Sequence, residues 1–297
     1  MRALACFSVL ALFACSESAP PAETVPEEPA ASAPAQDSME AQAPSLELVW
    51  KASGFLNPEG VAFQGDTIFI SSVAGEGSGK DGEGWISRVS MSGEVLEERW
   101  VDGLNAPKGM AVRGEKLFVS DIDAYHVIDI PTAEIENTYT VEGAGFLNDI
   151  TVWQGEVYVS DSGTATILQL DENGYKEWLS DERLGGVNGL TANGDRLLIA
   201  TMRSGSLFET NGDGSLTEIA TGMENADGIG VLDDGSYVVS SWPGQIWHVS
   251  NAGKTTEIIN TADDPIYQND LTRVGDLIIV PNWQPGTVSA WRVVPEG

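Results

Sequence analysis

Six polar residues open six copies of one phrase in this 297-residue chain: Glu59, Lys108, Asn148, Asn188, Asp227 and Asn269. Each is followed by Gly or Asp and then an apolar run, and successive copies start 49, 40, 40, 39 and 42 residues apart. Gathered into one ring, two carboxylates and up to three amide oxygens would form the all-oxygen shell that suits Ca²⁺, with two formal charges to balance the ion. A metal with an open position there would polarise a carbonyl and stabilise the developing oxyanion. Lys108 carries the wrong charge for a ligand. It either meets a substrate carboxylate or oxyanion, or pairs with Glu59 or Asp227 and occupies the site with no metal. A wet channel mouth accepts any polar residue, so a ring without a ligand is the competing expectation.

The elements that would bring these residues together are strands. After each polar starter the chain runs through an apolar stretch, a tight turn and a second strand that closes on small polar residues, as in Ile70-Ser71-Ser72 and Val159-Ser160-Asp161. A third strand follows, for example Thr166–Leu170, then a turn rich in residues that accept positive φ, such as 211–214, and a fourth strand. Four strands in about 40 residues, six times over, predict an all-β, six-bladed β-propeller with four antiparallel strands per blade across residues 47–297. Leu46 to Ala52 aligns with the fourth strand of the first full copy but has no three strands before it. It is therefore expected to complete the last blade beside Val288 to Val294 and remove the open edge. The first strand of each blade lines the central channel, which is what would gather the six starters at one mouth.

Loops joining second to third strands open on the same face. Tyr125, Trp242 and Trp283 lie in or beside them and are expected to form an aromatic rim suited to a flat or cyclic ligand, although Trp also packs blades. The stretch 73–84 is longer than its counterparts and Gly-rich, a candidate lid. Its resemblance to a phosphate loop fails, because the first Gly and the final Ser or Thr are missing and no helix follows. His126 and His248, the two histidines, fall on third strands away from the channel and read as structural. No G-x-S-x-G, HExxH or complete EF-hand loop is present, which disfavours serine esterases and zinc proteases.

The phrases Asn57-Pro58-Glu59-Gly60-Val61, Leu147-Asn148-Asp149-Ile150, Val187-Asn188-Gly189-Leu190 and Ala226-Asp227-Gly228-Ile229 resemble the metal-site phrases of the gluconolactonase and regucalcin family and of its relatives, the paraoxonases. The resemblance spans residues 47–297. It implies a divalent ion, usually Ca²⁺, on Glu59, Asn148, Asn188 and Asp227, and hydrolysis of lactones or related esters. It also implies Asp227 as general base, with ligation alone as the alternative role. Lys108, Asn269, Trp242, Trp283 and Tyr125 are then the substrate-binding candidates. Asp149 is a candidate supporting group, although strand alternation would turn it away from the channel. Paraoxonase-like enzymes carry a catalytic histidine where this chain has Lys108, so a histidine relay is not expected.

Composition sets the surroundings. With 45 Asp plus Glu against 15 Lys plus Arg, the formal charge is −30, of which −25 belongs to residues 47–297. Such a body does not bind phosphate backbones, so nucleic acid is excluded. The two cysteines are Cys6 and Cys15, which leaves the folded part without disulfides or a thiol nucleophile. Met1-Arg2 and the apolar run to Ala14 read as an export signal, and Leu12-Phe13-Ala14-Cys15 resembles a lipobox that would make Cys15 the acylated N-terminus of the mature chain. Cleavage near Ala19 without lipid is the alternative. Residues 16–46, with six prolines, six carboxylates and no Lys or Arg, read as a tether. The expectation is a monomeric cell-envelope lipoprotein, outer-membrane if the cell has two membranes, touching the membrane only through its anchor. Its function is either Ca²⁺-dependent hydrolysis of a small lactone or ester, or noncatalytic recognition of a ligand or protein.

Overall fold

The computed structural model describes residues 43–171 and 174–295. The segment expected to be an export signal, 1–15 with Cys15, and the expected tether as far as residue 42 lie outside the described residues. The remainder is a six-bladed β-propeller. Blades 1 to 5 begin with inner strands Pro58–Gln64, Pro107–Arg113, Leu147–Trp153, Val187–Asn193 and Ala226–Val231, and each continues through three antiparallel strands in chain order. In blade 6 the inner strand is interrupted, Tyr267–Gln268 and Thr272–Val274, and pairs with Leu277–Gln284, which pairs with Thr287–Val294. The strand Ser45–Ser53 closes the ring as anticipated, running antiparallel to Thr287–Val294 from Ser45↔Val294 to Ser53↔Thr287. It begins two residues before the domain boundary drawn from the sequence at 47, so the last residues assigned to the tether belong to the strand.

The blades pack face to face through apolar residues from adjacent sheets. Between blades 1 and 2, Ala62, Phe69 and Trp100 meet Met110, Leu117 and Val119; between blades 3 and 4, Trp153 and Tyr158 meet Leu190 and Phe208. Second strands, covered on both faces, are buried almost throughout, whereas the outermost strand Glu134–Thr140 is largely exposed. This gradient matches the sequence, in which second strands read as near-continuous apolar runs and fourth strands as polar ones.

The feature that shapes the channel is a bulge. In blade 1 the pairing steps from Pro58↔Ser72 to Val61↔Ile70, so the inner strand carries one extra residue at the starter, and blades 2 to 5 repeat the shift at Pro107/Met110, Leu147/Ile150, Val187/Leu190 and Ala226/Ile229. A bulge re-aims the side chains beside it and breaks strict alternation. It also brings neighbouring inner strands together. A Cβ on Gly60 would lie 2.3 Å from the Lys108 carbonyl oxygen, and one on Gly189 would lie 2.0 Å from that of Asp227, so glycine follows the starter where backbones cross this closely.

Candidate functional site

All six starters point inward, with exposures between 3% and 7%: Glu59, Lys108, Asn148, Asn188, Asp227 and Asn269. Serines on the second strands hold them in place. Ser71 Oγ accepts the Gly60 N–H at 2.7 Å and donates to the Lys108 carbonyl at 2.8 Å, tying blade 1 to the head of blade 2. Ser120 Oγ donates to the Asn148 carbonyl in the same manner, while Ser160 and Ser240 accept the N–H groups of Asp149 and Gly228 at 2.9 and 2.8 Å. These serines are positioning residues that motif reasoning passed over. Their signal was present in the small polar residue that closes second strands at a fixed distance from the starter.

The electrostatics of the ring are those of a site short of positive charge. Burial pushes Glu59 up to about 7, and Lys108 relieves this only in part. Asp227 is held well above the carboxylate range by burial and by the charges of Glu59 and Asp149, against a hydrogen bond from the Asn188 side chain and the charge of Lys108. Burial also lowers Lys108, against the pull of Glu59, Asp121 and Asp227. Yet Lys108 Nζ forms no ion pair and no hydrogen bond among the described residues; it stands 5.0 Å from the centre of the Phe146 ring. The lysine therefore does not close the ring by salt-bridging to Glu59 or Asp227.

The donor chemistry of the ring fits a hard cation. Asn188 donates its amide hydrogen to Asp227, and Asn148 Nδ2 donates to Ser162 Oγ at 3.2 Å, so both amide oxygens are left for another partner. Among the described residues no group of three or more His, Cys, Asp or Glu side chains is placed to hold a metal, so an ion here would depend on those amide oxygens beside the two carboxylates.

Two further acids belong to the same electrostatic unit. Asp149 and Asp270 occupy the position that is glycine in the other four blades, and both line the channel. Strand alternation would turn Asp149 away; the bulge at Leu147/Ile150 is why it does not. Burial pushes Asp149 up to about 7, offset by N–H groups of Leu190 and Ile150 and reinforced by Glu59. Burial raises Asp270 well above its ordinary range, with Asp149, Asp227 and Glu59 adding to the effect.

The rim is only partly the one expected. Trp242 and Trp283 meet edge to face at 6.2 Å between ring centres, and Tyr267, which the sequence did not single out, stands 5.7 Å from Trp242. Phe146, two residues before Asn148, was also missed. Tyr125 does not belong to the rim: its side chain is fully buried, stacked on Tyr139 at 4.9 Å, and its hydroxyl donates toward the carbonyls of Gly174 and Asp171 in the next blade. A strand residue one step past the loop turns into the interblade core, and this removes Tyr125 from substrate contact. The stretch 73–84 arches from blade 1, tied by Val73 N–H to the Asn57 carbonyl at 3.1 Å and by Lys80 Nζ to Asp123 Oδ2 of blade 2 at 2.5 Å. His126 is locked between Asp121 Oδ2 and Thr138 Oγ1, at 3.0 and 2.9 Å, and His248 faces Ser236 Oγ at 3.0 Å, both structural placements.

Solved structures with this arrangement include a gluconolactonase from Xanthomonas campestris, with a TM-score of 0.63 and 15% identity over 84% of this chain and 90% of that one. An inactive variant of virginiamycin B lyase from Staphylococcus aureus, solved with quinupristin, aligns with a TM-score of 0.59 and 15% identity over 84% of this chain and all of the other. A chain of the nidogen/laminin complex gives 0.61 and 16% identity over 72% of this chain and 84% of its own. The likeness is one of fold. Two enzymes and a member of a protein complex share it, so the fold by itself does not select a function. No protein-family model and no curated protein matches the chain in sequence.

Proposed function

We propose that the chain is an extracytoplasmic, lipid-anchored hydrolase of lactones or related esters that works with a divalent cation, Ca²⁺ first, at the starter ring. The observation that carries this reading is a buried pair of carboxylates, Glu59 and Asp227, that the nearby lysine does not salt-bridge. Burying ionised carboxylates without a counter-charge is strongly unfavourable, and a divalent cation would supply that charge. Glu59, Asn148, Asn188 and Asp227 would hold the ion. When bound, it supplies Lewis acidity toward an ester or lactone carbonyl.

The chain's own residues do the rest. Asp227 takes a proton from water as the water oxygen adds to the carbonyl carbon, and the proton returns to the departing alkoxide when the ester C–O bond breaks. Lys108, its ammonium over Phe146 and without a salt bridge, is available to a substrate carboxylate or to the developing oxyanion. Asn269 adds an amide to the ring, and Trp242 and Trp283, with Tyr267, offer flat apolar surface to a cyclic substrate. The anchor rests on Leu12-Phe13-Ala14-Cys15.

The test is hydrolysis of a panel of lactones and aryl esters with and without Ca²⁺. At least one substrate is expected to turn over, and Asp227→Asn is expected to lower kcat about 10²- to 10⁴-fold with the fold intact by circular dichroism. A protein inert toward the whole panel, or a variant as active as the parent, contradicts the reading. A second reading, a noncatalytic binding propeller, draws on Lys108 standing where related enzymes are expected to carry a histidine. It predicts ligand capture without turnover.

A further inference from the structure

A cavity of about 530 Å³ lies on the side of the channel opposite the starters. That volume is within the usual range for small-molecule sites. Its inner wall takes one aliphatic side chain from every blade, two residues after the starter: Val61, Met110, Ile150, Leu190, Ile229 and Leu271, all at most 4% exposed. Phe63, 44% exposed, stands at the outer rim. Thr191 and Thr272 also line the wall, but their hydroxyls donate to the Ile229 and Val61 carbonyls of neighbouring blades, at 3.0 and 3.2 Å. Arg273 at the outer end has its guanidinium bonded to the Val231 and Gly275 carbonyls and to Asp233.

At the inner end stand the two aspartates. Blades 3 and 6 face each other across a six-fold ring, so Asp149 and Asp270 approach the axis from opposite sides. Asp149 has both oxygens satisfied, by the Ile150 and Leu190 N–H groups at 2.7 Å each. Asp270 is 7% exposed; its Oδ1 accepts the Leu271 N–H at 2.7 Å, and its Oδ2 has no hydrogen-bond donor among the described residues. A carboxylate oxygen at the end of an apolar cavity calls for a donor, preferably a charged one. No cation among the described residues supplies it; the charges that act on Lys108 are those of Glu59, Asp121 and Asp227. One free carboxylate oxygen ringed by aliphatic side chains is a poor start for the six to eight oxygens of a calcium shell.

We propose that this cavity binds a small amphiphilic cation, an alkyl- or arylalkylammonium whose head meets Asp270 and Asp149 and whose tail lies along the inner strands. From the aspartates to Phe63 is three residues, about 10 Å of strand, which matches a six-carbon tail. The net charge of −25 on the propeller draws such cations in. The head of such a ligand would lie in the field of the starter ring, because Glu59 and Asp227 both act on Asp270, while its tail would lie beyond that ring.

The experiment follows the Met110 methyl by NMR in protein carrying ¹³C-methyl methionine, with Met202, on a loop at the starter end, as internal control. Hexylammonium, 1-hexanol and hexanoate are titrated with and without Ca²⁺. Hexylammonium is expected to shift Met110 saturably and leave Met202 in place, to bind at least tenfold more tightly than hexanol, and to lose about tenfold in affinity in Asp270→Asn. Hexanoate is expected not to bind. No saturable shift, which would mean that water satisfies Asp270, equal affinity for hexanol or hexanoate, or unchanged affinity in folded Asp270→Asn overturns the proposal. The comparison among the three probes uses the unaltered protein and holds even if the variant does not fold.

Discussion

The two ends of the central channel are built from the same six strands and differ in almost every property. At the starter end, two carboxylates, three amides and one ammonium are packed so closely that none is more than 7% exposed. At the opposite end, aliphatic side chains only two residues further along surround an open cavity. The difference comes from the repeated phrase, a polar residue followed by an apolar run, aligned six times around an axis. A repeat that places polarity at one level of every inner strand concentrates charge at one depth of the channel. The bulge at that level brings neighbouring backbones close together where the charge is greatest.

If this contrast is right, the starter end should be a cost to stability that pH and metal can lift. Glu59 titrates near 7 when folded and near 4.5 when unfolded, so between these values the folded state holds a proton that the unfolded chain has lost. Stability of the metal-free protein should therefore fall as pH rises through that window, with a penalty from Glu59 alone of about 3 kcal/mol above pH 7. Asp149, also raised to about 7, acts in the same direction. Urea denaturation at pH 5.5 and 8 checks this: the Glu59→Gln variant should lose much of the pH dependence, and a metal-free protein more stable at pH 8 than at 5.5 would break the comparison.

A smaller effect sharpens it. Ser71→Ala removes the acceptor of the Gly60 N–H and the donor to the Lys108 carbonyl, at a side chain that is fully buried. A loss of about 1 to 3 kcal/mol is expected. The matching deletion of a wall hydroxyl, Thr272→Val, keeps the side-chain shape and should cost about 1 kcal/mol or less, because its 3.2 Å bond is longer and its surroundings are only half-buried. Equal losses by thermal denaturation would show that the starter end is not the more tightly determined of the two.

Much of the architecture was legible because it is repetitive. Six spaced copies and the orphan strand at Leu46 to Ala52 were enough to place the blades and the ring closure, and the inward placement of the starters followed from inner-strand geometry. What escaped depended on departures from periodicity. Asp149 faces the channel because of a one-residue bulge that a sequence does not announce, and the same cause hid the pairing of Asp149 with Asp270. Tyr125 sits one step beyond its loop, where the strand turns it into the core between blades 2 and 3. Phe146 reaches the starter end from the loop before the inner strand of blade 3 and Tyr267 from the first piece of blade 6's interrupted inner strand, whereas the rim was sought only in loops that follow second strands. The cavity at the far end was missed because its residues read as ordinary core.

The central claim, that the starter ring is completed by a divalent cation, is tested most directly by calorimetric titration of Ca²⁺ into chelator-treated protein at pH 8. One ion per chain should bind, with release of protons because the buried carboxylates must ionise, and binding should be lost in both Glu59→Gln and Asp227→Asn. No binding, or binding that survives in the two variants, would contradict it.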